Sequence, residues 1–221
     1  MKKIALIVAG GSGSRMNSAI PKQFIEINGK PVLMHTFEAF LKTDPYFEFI
    51  LVLPENETDN WRTLCKNHNF SINHRVVPGG RTRFYSVRNG LEKIEDEGIV
   101  FIHDGVRPLV SAQTIQNCYQ TALEKGNALP VIAPSESVRE VTNGTTRAVD
   151  RNRFFLVQTP QTFRVSVIKK AYEQEFSELF TDDASVLEQS GVAINIVEGN
   201  RENIKITWPA DIPMAGALLR S

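Results

Sequence analysis

The chain has 221 residues, in which 25 Lys and Arg balance 25 Asp and Glu, so its formal net charge is zero. This balance argues against a protein that coats nucleic acid or an anionic membrane, because such proteins carry an overall basic excess. The length predicts one domain, or one domain with an appendage, and 42% hydrophobic residues are ample for a buried core. Any binding of anions must therefore be local.

The amino-terminal residues and the two cysteines indicate in which compartment of the cell the protein is expected. The apolar run after Met1-Lys2-Lys3 ends at Ala9, which is too short for a signal peptide, and no stretch approaches the ~20 apolar residues of a membrane span. Cys65 and Cys118 lack the spacing of a zinc site or a disulfide framework, so they are interpreted as reduced thiols. We therefore expect a soluble, cytoplasmic protein.

Apolar, β-rich segments alternate with segments of helical period along the chain. This alternation predicts an α/β fold around a largely parallel sheet. Strands are predicted at 4–8, 47–53, 99–103, 128–133, 193–197 and 203–207. Helices are predicted around 33–41 and 84–94, after Ser111, at 165–178 and 182–189, and after Pro209.

Residues 137–149 fit this alternation poorly. They form two short β-prone pieces around Asn143-Gly144, a dipeptide that is the strongest short signal for a β-hairpin. A hairpin that interrupts an α/β domain has to bury its apolar side on something. An arm that pairs with a second subunit and a simple surface flap both satisfy this pattern.

A glycine-rich segment, AGGSGSRM at 9–16, follows the first strand directly. Glycines let backbone N–H groups turn toward an anion, and ligands of open α/β sheets bind at the carboxyl ends of strands. Arg15 and Lys22 flank the turn and could neutralise a polyphosphate. The segment lacks the Gly-Lys-Ser/Thr of a P-loop, and Met16 stands where the dinucleotide fingerprint has its third glycine. A tight turn with two solvated basic residues is the alternative.

A second candidate site, HDGVRP at 103–108, also follows an apolar strand. Asp104 is a candidate ligand for Mg²⁺, which takes few protein oxygens and leaves its other positions for phosphates and water. An ordinary turn is the alternative for this residue. Arg107 could bind a substrate phosphate through its planar guanidinium, or form a surface ion pair.

Two later segments complete the set of candidates. Lys205 lies between Ile204 and Ile206 in a predicted strand, so its side chain is expected on the opposite face and could enter the site. Thr181-Asp182-Asp183 is interpreted mainly as a helix N-cap with acidic first-turn residues. The four histidines have no metal-ligand spacing.

Eight motifs follow one another along nearly the whole chain: AGGSGSRM, PKQF, GGRTRFYSV, HDGVRP, VDRN, QTPQTF, TDDAS and NIKIT. With these motifs the sequence resembles the 2-C-methyl-D-erythritol 4-phosphate cytidylyltransferase family, which uses CTP in the non-mevalonate isoprenoid pathway. One motif alone would be weak evidence, but together and at family spacing they are specific.

The resemblance implies a fold and an assembly. It implies a Rossmann-like nucleotidyltransferase fold over 1–221 as a single domain, with a mainly parallel twisted sheet flanked by helices. A protruding β-hairpin arm at about 136–150 would cross to the partner in a homodimer. Mg²⁺ is the implied cofactor, and CTP and a polyol phosphate are the implied ligands.

The resemblance also implies a role for each matching residue. Arg15 and Lys22 would stabilise the transition state. Arg151 and Lys205 would position the sugar phosphate, with Arg151 reaching across the dimer. Asp104 would lie near substrate and metal. The residues implied to line CTP are Ala9, Gly10, Gly11, Gly80 and Ser86, with Gly105 close by, and those implied to contact the methylerythritol phosphate are Arg107, Thr159 and Thr181.

The implied reaction is in-line attack of the polyol phosphate on the α-phosphate of CTP, with release of pyrophosphate. An ionised phosphate nucleophile needs no general base, so fixed cations and positioning supply most of the catalysis. Ser137-Val138 stands where the family usually carries an Asp-Thr pair, which leaves one polyol contact open. Ribitol 5-phosphate cytidylyltransferase and a non-catalytic nucleotide-binding protein are the alternatives, although in the ribitol family the arginine aligned with Arg151 typically precedes its aspartate.

Overall fold

The computed structural model describes residues 1–10 and 20–220. The helices in these two stretches are α1 (Val32–Thr43), α2 (Thr58–Asn67), α3 (Arg83–Leu91), α4 (Ala112–Lys125), α5 (Val165–Ala171), α6 (Asp183–Gln189) and α7 (Asp211–Leu218). The strands are β1 (Lys2–Val8), β2 (Glu26–Ile27), β3 (Lys30–Pro31), β4 (Glu48–Leu53), β5 (Arg75–Pro78), β6 (Gly98–Asp104), β7 (Asn127–Ile132), β8 (Arg139–Thr142), β9 (Thr145–Ala148), β10 (Leu156–Val157), β11 (Gln161–Arg164) and β12 (Ile196–Glu198).

Eight of these strands form one mixed sheet, in the order β10-β7-β11-β6-β1-β4-β5, with β12 beside β7. The strands β6, β1, β4 and β5 run parallel, whereas β11 runs antiparallel between β6 and β7. The central strands β1 and β6 are nearly all apolar because both of their faces are covered. The predicted α/β class with a mainly parallel sheet is confirmed.

Two apolar layers pack on the two faces of the sheet. On one face, aromatic side chains dominate, including Phe37 of α1, Trp61 of α2 and Phe101 of β6. On the other face, Phe84 of α3 and Ile168 of α5 pack with apolar residues of β1 and β6. The chain is thus a three-layer α/β/α structure whose strand ends are open at the edge of the sheet.

The pairing of β1 with β6 decides where the candidate site lies. Val8 at the end of β1 is the ladder partner of Asp104 at the end of β6. Ala9 and Gly10, which begin the glycine-rich segment, and the HDGVRP segment therefore leave the sheet side by side. This juxtaposition is what the strand-end rule for α/β sheets predicts.

The predicted hairpin is confirmed. Strands β8 and β9 pair antiparallel around Asn143 and Gly144, whose φ angles are 49° and 77°. Positive φ at both central residues defines a type I′ turn, which Asn-Gly favours. All residues of both strands are exposed, so the apolar Val141 of the hairpin is not covered by any residue of 1–10 or 20–220.

The predicted strand at 203–207 is wrong. The segment joins no β-ladder and instead docks by separate hydrogen bonds, one of them from the Ile206 N–H to the Val106 carbonyl at 2.9 Å. The predicted helix at 165–178 ends at Ala171, because Phe176 and Phe180 turn back to pack beside Phe84.

Three elements lacked a sequence signal that we could interpret. Helix α2 buries only Trp61, so it shows no apolar stripe, and β5 is short. Strand β11 has a single apolar residue, Phe163, beside the buried polar Gln161 and Thr162. Among the described residues, no helix is both long and apolar enough to cross a membrane.

Candidate active site

A pocket of about 240 Å³ lies at the carboxyl ends of β1 and β6. Backbone from the glycine-rich segment and from the loop before α3 forms part of its wall, and basic side chains form another part. The predicted residues that line it are Ala9, Gly10, Lys22, Gly80, Ser86, Asp104 and Lys205. Tertiary structure therefore brings together residues from five separate motifs. Arg15 and Gly11 lie outside the described residues.

The wall at Lys22 is fixed by its neighbours. The Ala9 N–H donates to the Val52 carbonyl at 2.9 Å, so the sheet pattern continues one residue beyond β1. The buried Gln23 donates from Nε2 to the Ala9 carbonyl at 3.1 Å. Because Lys22 and Gln23 share one short helical turn, this bond holds the Lys22 backbone against the start of the glycine-rich segment.

The loop before α3 requires glycine at position 80. A Cβ there would lie 2.4 Å from the Cβ of Tyr85, and that atom cannot move without the helix backbone. The Gly80 N–H donates to Ser86 Oγ at 3.0 Å, and Ser86 Oγ donates to the Thr82 carbonyl at 2.9 Å. The Ser86 hydroxyl thus shapes the loop, and its contact with CTP stays a prediction.

Asp104 is the anionic centre of the pocket. Its Oδ2 lies 3.1 Å from Lys205 Nζ and 3.1 Å from Arg107 Nε. Burial opposes ionisation of this carboxyl, but the positive charges of Lys205, Arg83 and Arg107 hold its pKa well below the usual range. Asp104 is therefore ionised, and it anchors two cations in place.

Arg107 joins two of the motifs. Besides its contact with Asp104, it donates from Nη1 to the Asn203 carbonyl at 2.8 Å. Its side chain is only 12% exposed, so the ion pair faces inward rather than solvent. Asn203 in turn donates from Nδ2 to the Thr159 carbonyl at 2.8 Å. Arg107 thereby helps to dock the segment that carries Lys205.

Thr159 lies behind the pocket wall, beside His103. Its hydroxyl accepts from the Asp104 N–H at 3.1 Å and donates to His103 Nδ1 at 3.0 Å, while His103 Nε2 donates to the Arg107 carbonyl at 3.0 Å. Burial lowers the pKa of His103 to about 4, so the ring is neutral at pH 7. Thr159 supports the turn after β6, and its contact with substrate stays a prediction.

Gly105 lies beneath the pocket rather than in its wall. Its N–H donates to the Val8 carbonyl at 2.9 Å, and a Cβ would lie 2.9 Å from the Cβ of Ala9. Glycine here lets the turn after β6 lie close to the end of β1.

Like Gly105, Arg107 and Thr159, the predicted residues Thr181 and Arg151 do not line the pocket of their own chain. Thr181 is exposed and precedes Asp182, whose Oδ1 accepts from the Ser185 N–H at 2.9 Å, so the predicted N-cap is confirmed. Arg151 is exposed just beyond the hairpin and donates to the Ser135 carbonyl at 2.6 Å. Their roles toward substrate stay predictions.

The sequence interpretation missed two cations of the wall, Arg81 and Arg83. Both terminal nitrogens of Arg83 contact Asp183, which is fully buried, at 2.7 and 2.6 Å. Burial disfavours the charge on Arg83, yet Asp183 raises the pKa of the guanidinium. Arg83 belongs to the GGRTRFYSV motif, but its partner lies 100 residues away in the sequence. Sequence spacing alone could not connect them.

Comparison with known proteins agrees with this geometry. The family model for 2-C-methyl-D-erythritol 4-phosphate cytidylyltransferase matches residues 3–221. A protein of that name from Bacteroides fragilis is 53% identical over 219 residues, which cover 99% of this chain and all of the relative. The one from Bacteroides thetaiotaomicron is 51% identical with the same coverage of both chains.

Solved structures give the same result. The 4-diphosphocytidyl-2C-methyl-D-erythritol synthase of Anaerococcus prevotii superimposes with a TM-score of 0.83 at 28% identity, over 100% of this chain and 96% of that one. The Thermus thermophilus cytidylyltransferase gives a TM-score of 0.80 at 29% identity, over the whole of both chains. Shared motifs, fold and full-length similarity show that the chain belongs to the 2-C-methyl-D-erythritol 4-phosphate cytidylyltransferase family of nucleotidyltransferases.

Proposed function

We propose that the protein transfers CMP from CTP to 2-C-methyl-D-erythritol 4-phosphate, giving 4-diphosphocytidyl-2-C-methyl-D-erythritol and pyrophosphate. The observation that carries the proposal is the pocket at the ends of β1 and β6. There, Lys22 and Lys205 face glycine backbone and an ionised Asp104. Cations beside glycine backbone suit a triphosphate, and relatives that carry the name of this activity support the choice of substrate.

The chemistry needs positioning and charge more than proton transfer. The phosphate of the polyol attacks the α-phosphorus of CTP, and negative charge accumulates on the transferring group. Lys22, together with Arg15, stabilises that charge, and Lys205 positions the attacking phosphate. His103 takes no part as a base, because it is buried, neutral and hydrogen-bonded at both ring nitrogens.

Mg²⁺ is the proposed cofactor, with Asp104 as its protein ligand. No group of three or more potential metal-binding side chains occurs in the described part of the chain. An ionised carboxylate in the pocket wall suits Mg²⁺, because this ion often takes one or two carboxylates and completes its shell with phosphates and water. When bound, it would neutralise charge on the CTP phosphates.

The polyol phosphate is proposed to bind on the Asp104 side of the pocket. Arg107, Thr159 and Thr181 are the residues proposed for this contact, the first two from beside the turn after β6. Gly105 is proposed to lie close to CTP, whose other proposed contacts are Ala9, Gly10, Gly11, Gly80 and Ser86. A cytoplasmic location stays a prediction.

A homodimer with shared active sites is part of the proposal. The exposed apolar residues Val141 and Phe154 to Val157 lie in the hairpin and in the segment after it, where a partner would cover them. Arg151 lies between these two groups and is not part of its own chain's pocket. In a dimer built through the hairpin, Arg151 would enter the partner's pocket.

The activity is tested by pyrophosphate release from CTP, with and without Mg²⁺, using each polyol phosphate in turn. We expect Mg²⁺-dependent turnover with 2-C-methyl-D-erythritol 4-phosphate. Faster turnover with ribitol 5-phosphate would overturn the substrate assignment. Absence of turnover with both substrates would favour a non-catalytic nucleotide-binding protein.

The shared site is tested by mixing two inactive variants. Arg151→Ala removes the group proposed to act in trans, and Lys22→Ala removes one that acts in its own chain. Hybrid dimers would contain one site with both native residues, so mixing should restore activity after subunit exchange. No recovery in samples whose exchange is verified by mass would count against a shared site.

A further inference from the structure

Arg83, Asp183 and Tyr172 form a hydrogen-bonded triad that extends from the pocket wall into the interior. Arg83 contacts Asp183 with both terminal nitrogens, Nη1 to Oδ1 at 2.7 Å and Nη2 to Oδ2 at 2.6 Å. The Tyr172 hydroxyl donates to the same Oδ1 at 2.6 Å. Two parallel bonds to one carboxylate fix the plane of a guanidinium as well as its position.

The supports of the triad are themselves held by packing. The Tyr172 ring stacks on Phe84 with centroids 4.8 Å apart, and Phe180 stacks on Phe84 with centroids 5.5 Å apart. Asp183 is the first residue of α6, whose N-cap is closed by a capping box between Asp182 and Ser185. Arg83 therefore has little freedom to turn.

Only the arginine end of this ion pair is open to a ligand. The Asp183 side chain has no exposed surface, whereas the Arg83 side chain is 31% exposed and lines the pocket. A guanidinium has five N–H donors, and the pair with Asp183 takes two of them. Arg83 therefore keeps three further donors, and its side chain lines the same pocket as Asp104 and Lys205.

We propose that Arg83 binds a phosphate group of the substrates, and that Asp183 and Tyr172 are positioning residues that orient it. The inference rests on the function proposed above. The phosphate has two possible sources, the triphosphate of CTP and the phosphate of the polyol. Arg83 follows the glycine loop at Gly80, and Asp183 follows Thr181, so the triad also joins the two proposed substrate-binding loops.

The experiment compares Arg83→Lys, Asp183→Asn and Tyr172→Phe with the native protein. Each is measured for thermal unfolding, for kcat and KM with each substrate, and for calorimetric binding of CTP with Mg²⁺ in the absence of the polyol phosphate. Arg83→Lys keeps the charge but loses the paired geometry, so kcat/KM should fall at least ~10-fold, the scale of one charge-assisted hydrogen bond. Tyr172→Phe keeps the ion pair and should give a smaller loss in the same direction.

The pattern of the loss identifies the phosphate. Weaker calorimetric binding of CTP assigns Arg83 to the nucleotide. An increased KM for the polyol phosphate with unchanged CTP binding assigns Arg83 to the other substrate. Variants that lose thermal stability while kcat and both KM values stay within about twofold of native would overturn the proposal, because the triad would then only hold α3 to α6.

Matched variants control for general loss of stability. Asp44→Asn breaks a partly buried ion pair with Lys3, whose Nζ lies 2.5 Å from the carboxylate, and Tyr119→Phe alters a ring that Lys3 also contacts. Neither Asp44 nor Tyr119 lines the pocket, so both variants should keep native kcat and KM. A native protein without turnover would refute the proposed function alone. Calorimetry with pyrophosphate and with the polyol phosphate would still test Arg83, since unchanged binding of both ligands by Arg83→Lys would overturn its role.

Discussion

Individual side chains in the pocket are held by other charges. Asp104 anchors Lys205 and Arg107 through one carboxylate oxygen, and Asp183 anchors Arg83 through two. Each of these three cations thus has an anionic partner, which for the partly buried Arg83 and Arg107 offsets the cost of removing the charge from water. The pocket keeps fixed cations available for phosphates without leaving an uncompensated charge in the core.

Lys22 provides the most direct test at the level of single residues. Lys22→Ala should lower kcat at least ~100-fold, because it removes the preorganised charge that we propose to lie beside the transferring group. Steady-state kinetics would measure the loss, and circular dichroism would verify that the fold is intact. A near-native kcat would remove Lys22 from the mechanism.

A substitution at Gly80 would test whether the shape of the loop before α3 matters for CTP binding. Gly80→Ala places a Cβ 2.4 Å from the Cβ of Tyr85, so the loop must shift and the KM for CTP should rise. Gly216→Ala is the control, because its Cβ meets nothing closer than 3.4 Å and lies within α7. Alanine should stabilise that helix by up to ~1 kcal/mol and leave KM unchanged. An unchanged KM for Gly80→Ala would show that the loop tolerates the shift.

Secondary-structure elements determine which of these residues meet. The apolar sequences of β1 and β6 do not determine which strands lie beside them, but as buried strands of a parallel sheet both were predictable. The antiparallel β11 was not, because its buried Gln161 and Thr162 lack an apolar pattern. Gln161 is satisfied by tertiary partners instead, donating to Asp182 Oδ2 and accepting from the Ala184 N–H, both at 2.8 Å.

The hairpin provides the test at the level of elements. Replacing both Asn143 and Gly144 by Ala places alanine at two positions of positive φ. Alanine carries a Cβ, which glycine lacks, and has no polar side chain, such as that of asparagine, to stabilise this conformation. Strain of 1–2 kcal/mol per residue should open the turn and weaken the proposed dimer at least ~10-fold in Kd. Sedimentation velocity over a range of concentrations would measure this change.

The matched control is Asn69→Ala, at a position that also has positive φ (51°) but lies at the end of α2. It should cost stability and leave the dimer unchanged. If the hairpin variant dimerises like the native protein, β8 and β9 do not form the interface.

Buried histidines make the stability of the whole molecule depend on pH. Burial lowers the pKa of His103 to about 4, and burial also lowers the pKa of His35 and of His74, whose Nε2 accepts from the Trp61 indole at 2.9 Å. The unfolded chain takes up protons near pH 6.5, where the folded chain does not. The stabilisation from the buried neutral histidines is therefore fully present above pH 6.5 and is lost as pH falls toward 4. At pH 5.5, His103 alone should lower the free energy of unfolding by about 1 kcal/mol.

Urea unfolding at pH 7.5 and pH 5.5, followed by tryptophan fluorescence, would measure this change. His74→Gln should reduce the difference in unfolding free energy between pH 7.5 and pH 5.5, even if the variant is less stable than the native protein at both pH values. Equal or greater stability of the native protein at pH 5.5 would contradict the prediction.

Local features of this protein were predictable from its amino-acid sequence. Apolar runs defined the central strands, Asn143-Gly144 defined the hairpin turn, and ordered motifs identified the family and most of the pocket residues. These signals are local because each depends on neighbouring residues within one strand, one turn or one motif.

Only the tertiary structure decided which distant groups meet. It docked the Lys205 segment without a strand, through Arg107 and Asn203, and it paired Arg83 with Asp183 across 100 residues. The physical reason is that buried polar groups are satisfied by whichever partners the fold brings within hydrogen-bonding distance. Such partners leave no periodic pattern in the sequence.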